Sequence, residues 1–137
     1  MSLGYSELWP VHAIMMSASF VLMLLGMIFM RLKQKKWRVN VHKKMNLIGT
    51  ILGIAALGIA VYMISASYGL HFSVAHSIIG IVTLALLIIN PIIGYVMLKT
   101  NKWNKNTLRA LHRWNGRAVI SLMALTIIAG LRLVGIL

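Results

Sequence analysis

Long apolar stretches alternate with short polar ones along the chain. Residues 11–30 (VHAIMMSASFVLMLLGMIFM), 45–70 and 72–98 contain no acid, lysine or arginine. A fourth such run, 118–131, is preceded by an amphipathic turn, LRALHRWNG. About 20 mostly apolar residues carry a helix across a bilayer. The pattern therefore predicts helices near 8–31, 41–65, 72–98 and 107–134, joined by three short connections. Short connections make sequence neighbours antiparallel. The expected fold is all-α: an up-down-up-down four-helix transmembrane bundle, one domain over residues 1–137. Trp9, Trp37, Trp103 and Trp114 fall near predicted helix ends, where aromatic belts meet the membrane interface. Asn90-Pro91 lies well inside the third helix. Proline lacks an N–H, so a kink is expected there.

Composition supports the pattern. The 137 residues are 60% hydrophobic and only 11% charged, with a mean hydropathy of +0.87. That is too little charge to cover a soluble domain. A net charge of +13 could point to nucleic acid, but the placement of the cations argues against it. Arg31, Lys33, Lys35, Lys36, Arg38, Lys43 and Lys44 surround the first connection. Lys99, Lys102, Lys105, Arg109, Arg113 and Arg117 surround the third. Glu7 alone marks the N-terminal segment and Arg132 the other end of the last helix. Short loops rich in lysine and arginine stay in the cytoplasm. The expectation is an integral multi-pass protein of the cell membrane. Its basic loops 32–41 and 99–106 are expected in the cytoplasm, with both termini and the 66–71 loop outside. The same cations attract anionic lipid headgroups. The absence of cysteine excludes disulfides, iron–sulfur clusters and thiolate metal sites. The first helix does not read as a signal peptide, because it lacks a basic n-region and its apolar run is too long.

The candidate chemistry lies in four histidines. His12, His42, His76 and His112 each fall within about two turns of the predicted start of their helix. Helices 1 and 3 start at one membrane face and helices 2 and 4 at the other. His12 and His76 therefore share the outer level, and His42 and His112 share the inner one. Helices 1 and 3 are diagonal neighbours in an up-down bundle, as are 2 and 4. Each pair then faces across the bundle axis, which is the arrangement of bis-histidine axial ligation of a haem iron. A single histidine at an interface is commonly a polar interfacial residue. Four with matched depth and diagonal pairing ask for more, because polar groups within spans usually face the interior and mark function.

Stepping along one face from each histidine gives His12, Met16, Ser19, Met23, Gly26, Met30; His42, Asn46, Gly49, Gly53, Ala56, Ala60; His76, Gly80, Thr83, Leu87, Asn90, Gly94; and His112, Gly116, Val119, Met123, Thr126, Gly130. Every stripe has a small residue 14 or 18 positions beyond its histidine, roughly 21–27 Å along the helix. That is the level of the other histidine pair. Asn46, Gly49, Gly53, Gly80, Gly94, Gly116 and Gly130 are thus candidates to border a cofactor. Small residues in membrane helices also simply permit close packing, which would account for one stripe but not for the shared register. Zinc would need three or four converging ligands. The ten methionines read better as soft filler than as copper ligands.

At these residues the chain resembles the cytochrome b561 family of two-haem transmembrane electron carriers. The matching segments are VHAIMMSASFVLMLLG, VHKKMNLIGTILGIA, VAHSIIGIVTLALLIINPIIG and LHRWNGRAVISLMALTIIAGL. The last is similar to the branch in which this core is joined to an extracellular DOMON-type domain that binds sugar or haem. The resemblance covers about residues 8 to 134. The family's two flanking helices and the fused branch's extracellular domain lie outside it. It implies two haem b groups, with His12 and His76 on the outer iron and His42 and His112 on the inner one. It also implies oxidoreductase activity, often from cytoplasmic ascorbate to monodehydroascorbate or ferric complexes outside.

With a single acid in the chain, the haem propionates would meet little carboxylate repulsion. Arg109, Arg113, Arg117, Lys43 and Lys44 are candidates for the inner propionates, since arginine favours bidentate contact. Arg132, 20 residues beyond His112, is a candidate for the outer ones, or it snorkels to headgroups. His71 is a solvated loop residue or an aid to an outer acceptor. The absence of acids within the spans argues against a carboxylate proton relay. The expected function is electron transfer between a small-molecule or quinone donor and acceptor, by one chain or a homodimer. A haem-b subunit linking quinone to a partner redox enzyme is the second reading. A haem-free membrane scaffold or lipid-binding protein is the third.

Overall fold

A computed structural model describes residues 5–32, 36–67, 73–99 and 105–137. They form four helices: α1 (Tyr5–Phe29), α2 (Arg38–Ser67), α3 (Ala75–Lys99) and α4 (Lys105–Leu133). No strand occurs among the described residues. Each helix contains a window long and apolar enough to cross a membrane, and only 17–28% of each window is buried inside the chain. Few side chains are therefore buried within the chain, as expected where the surrounding solvent is lipid.

The helix bounds differ from the sequence expectation by two or three residues at most ends. Basic and polar residues extend the helices beyond their apolar runs. α2 starts at Arg38, where Val41 donates its N–H to the Trp37 carbonyl at 3.1 Å. α3 starts three residues later than expected, with Ser77 donating both its N–H (3.1 Å) and its hydroxyl (2.7 Å) to the Val74 carbonyl. α3 remains helical through Pro91. α4 ends in a Schellman turn. Gly135 has φ +74°, Ile136 N donates to Leu131 O at 3.0 Å and Gly135 N to Arg132 O at 3.1 Å. Glycine takes the left-handed φ that this turn demands without a Cβ penalty.

The helices pack as two hairpins. Contact is densest between α1 and α2 and between α3 and α4, and sparser between α1 and α4 and between α2 and α3. The diagonal pairs do not approach at backbone level. Within the first hairpin, Ser19 Oγ donates to Gly49 O at 2.7 Å in a buried setting. A Cβ at Gly49 would lie 2.8 Å from Met23 Cγ, and one at Gly53 would lie 3.4 Å from Leu87 Cδ1. The glycines of α2 thus accept the bulk of α1 and α3, the use of small residues expected in membrane helix packing. The buried core is Met23, Leu87, Val119 and Met123, flanked by Met16, Phe20, Leu84, Leu86 and Ile120. Met23, Leu87 and Met123 each follow a histidine by 11 residues, about 16 Å along the helix. The core therefore fills the middle of the bundle, between the two histidine levels.

Candidate functional site

Four imidazoles meet in two pairs. The His12 and His76 rings lie 6.3 Å apart between centroids, with their planes at 86°. The His42 and His112 rings lie 5.9 Å apart at 83°. Each pair joins diagonal helices, one from each hairpin.

Every ring is held by the other helix of its own hairpin. His12 Nδ1 bonds the Ala56 carbonyl at 2.8 Å and His42 Nδ1 the Gly26 carbonyl at 2.9 Å. His76 Nδ1 bonds the Thr126 carbonyl at 2.9 Å and His112 Nδ1 the Asn90 carbonyl at 3.2 Å. A carbonyl oxygen only accepts, so each Nδ1 carries the proton and donates it. Each Nε2 is then the ring's lone-pair nitrogen, the tautomer a metal requires. The acceptors Gly26, Ala56, Asn90 and Thr126 stand 14 residues after the histidine of their own helix and are all buried. Their role in fixing the rings was not anticipated from sequence. The small +14 residues were the available sign, but which backbone atom they expose depends on how the hairpin pairs.

The glycines divide by surroundings. A Cβ at Gly130 would lie 2.9 Å from His76 Cε1, and one at Gly94 would lie 3.2 Å from His112 Cε1. These two give ring space. Gly116 abuts the Asn90 amide, and Gly80 lies 3.7 Å from Thr126 Cγ2. Gly49 and Gly53 face Met23, Ser19 and Leu87 between the levels. Asn46 lies beside His42, with Nδ2 2.8 Å from His42 O and 3.1 Å from His42 Nδ1. A cavity of about 220 Å³ opens at the His12–His76 level, bordered by both histidines, Gly80, Thr126 and Gly130 and otherwise mostly by apolar side chains.

The cations expected to pair with propionates lie at the surface. Arg109, Arg113, Arg117 and Arg132 are exposed, as are Lys43 and Lys44. Arg117 stacks over Trp114 at 5.1 Å. Arg38 donates to Leu32 O at 2.9 Å, tying off the end of α1. His71, Lys33, Lys35, Lys102 and Trp103 lie outside the described residues.

These residues fit a bis-histidine iron. A metal–imidazole bond of about 2 Å, plus about 1 Å from ring nitrogen to ring centre, sets two axial rings about 6 Å apart. Both pairs meet that spacing with the needed tautomer. No cluster of three or more His, Cys, Asp or Glu suited to a metal occurs among the described residues. The family model described as “Eukaryotic cytochrome b561” matches residues 11–136, which spans all four histidines. The chain belongs to the cytochrome b561 family. No curated protein and no solved structure matches it. As a cytochrome b561, the chain is an integral multi-pass membrane protein that binds haem b and takes part in transmembrane electron transfer.

Proposed function

We propose that this cytochrome b561 holds two haem b groups, one at each histidine pair, and carries electrons between the two membrane faces. His12 and His76 bind the iron of one, and His42 and His112 the iron of the other. The observation that carries this reading is the doubled pair, two ring couples at 6.3 and 5.9 Å. All four Nδ1–H groups are tied to carbonyls in both pairs. Bound haem supplies a reversible one-electron iron couple at each level. The chain's residues do the rest. The carbonyls fix tautomer and ring direction, which raises ligand basicity. Met23, Leu87, Val119 and Met123 exclude water between the levels. Electrons pass from a reductant at the basic, cytoplasmic face to an acceptor outside. That direction rests on thirteen cations flanking the helix ends on the His42–His112 side, which favour an anionic donor by electrostatic steering.

Haem stoichiometry tests the assignment. Purified wild-type protein should bind two haems per chain, with the Soret and sharp reduced α-band of bis-histidine haem b. His12→Ala and His42→Ala should each lose one haem, and a different one. A variant of either kind that kept both would overturn the pairing. Stopped-flow reduction by ascorbate and by a quinol then identifies the donor class.

A further inference from the structure

His42 differs from the other three histidines in what lies one turn along its own helix. Four residues after His12, His76 and His112 come Met16, Gly80 and Gly116, none of which brings an amide. Four residues after His42 comes Asn46. Its Nδ2 donates to His42 O at 2.8 Å, which identifies that atom as nitrogen rather than oxygen. The same Nδ2 lies 3.1 Å from His42 Nδ1. Yet Nδ1 already directs its proton to Gly26 O at 2.9 Å. Two donors therefore stand side by side, and the amide acts on the ring through its dipole rather than through a hydrogen bond.

A second observation concerns the opposite wall. A Cβ built on Gly26 would lie 2.5 Å from Asn46 Nδ2. No other residue at 26 leaves the amide where it is. The sequence thus keeps both a donor amide beside one ring and the glycine that makes room for it.

We propose that Asn46 is a positioning and tuning residue that raises the reduction potential of the haem held by His42 and His112. This rests on the ligation proposed above. The positive end of the amide beside the imidazole draws density from the ring and weakens its donation to iron. The ferric state, with its extra positive charge, loses more than the ferrous state, so reduction becomes easier. The Gly26 carbonyl acts in the opposite sense on the same ring, as the carbonyl partners do on the other three. The amide offsets part of that push at this one histidine. The inner haem becomes the better electron acceptor relative to a site built from carbonyl partners alone.

The test is a spectroelectrochemical titration of the holoprotein. The component absent from His42→Ala identifies the inner haem in wild type. In Asn46→Leu, which keeps the volume without the dipole, that component should titrate at lower potential while the other stays in place. An unchanged or raised midpoint, or an equal fall of both, would overturn the proposal. If Asn46→Leu fails to retain haem, Gly26→Ala is read instead. Its added methyl pushes the amide from the ring, and the same component should fall. A wild-type protein with one haem, or a His42→Ala variant with two, would instead defeat the ligation reading itself, so the two failures are distinct.

Discussion

His76 and Gly130 are separated by less space than two ordinary neighbours need. A Cβ at 130 would come to 2.9 Å from His76 Cε1 and 3.2 Å from Nδ1, while the ring is anchored to Thr126 O. Gly130→Ala should therefore tilt or displace His76 and lower haem occupancy at the His12–His76 level. Losses of about 10- to 100-fold in affinity are typical when a ligand's support is disturbed. Gly94→Ala, with its closest approach at 3.2 Å to His112, should weaken the other level by less. Gly80→Ala meets only Thr126 Cγ2 at 3.7 Å, leaves the His76 ring undisturbed and should lower occupancy less than Gly130→Ala. Pyridine haemochrome assays on the three variants read this order, and an equal loss from Gly80→Ala and Gly130→Ala would contradict it. The four histidines and the glycines near them were legible in the sequence because they recur at fixed steps along one face. The division of labour among those glycines was not. A period of 3.6 gives the face of a helix but not which side chain on the next helix fills it.

The α1–α2 hairpin shows what holds an element pair together when lipid removes the hydrophobic drive between helices. The close approach is set by Gly49, whose missing Cβ would meet Met23 Cγ at 2.8 Å and Ser19 O at 3.2 Å. The buried Ser19 hydroxyl donates to Gly49 O at 2.7 Å. Ser19→Ala removes one hydrogen bond and should cost about 0.5–1.5 kcal/mol. Gly49→Ala forces the backbones apart and should cost about 1–3 kcal/mol, as overpacking does. Thermal unfolding in detergent, followed by helical circular dichroism, should rank Gly49→Ala below Ser19→Ala and both below wild type. A Gly49→Ala variant as stable as wild type would mean that the interface yields freely. At this scale the helices themselves were plain from their apolar runs, and the structure shifted most ends by only two or three residues. The pairing was less plain. Up-down topology makes every sequential pair antiparallel, and nothing in the pattern says that α2 and α3 touch less than α1 and α2. That follows from where bulk and glycine meet, as at Met23 and Gly49.

The whole molecule is polarised. Thirteen of the fourteen lysines and arginines flank the helix ends at the His42–His112 side, and Arg132 alone lies toward the other. Each cation near an anionic leaflet is worth about 1 kcal/mol, so the bundle has one strongly preferred way to sit. On the function proposed above, the orientation sets which histidine pair faces the cytoplasm and with it the direction of electron flow. Because the chain has no cysteine, a single introduced thiol reports its own side without background. Ser67→Cys lies at the sparsely charged end of α2 and Thr107→Cys at the basic start of α4, both at exposed positions. A membrane-impermeant maleimide applied to intact cells should label Ser67→Cys and leave Thr107→Cys unmodified until the membrane is opened. The reverse pattern would invert the bundle and with it the proposed direction of electron flow. Reduction through the basic face by an anionic donor should in addition slow as ionic strength rises, because exposed charges are screened within about 8 Å at physiological salt. A rate independent of salt would place the donor's encounter elsewhere, at a face without these cations.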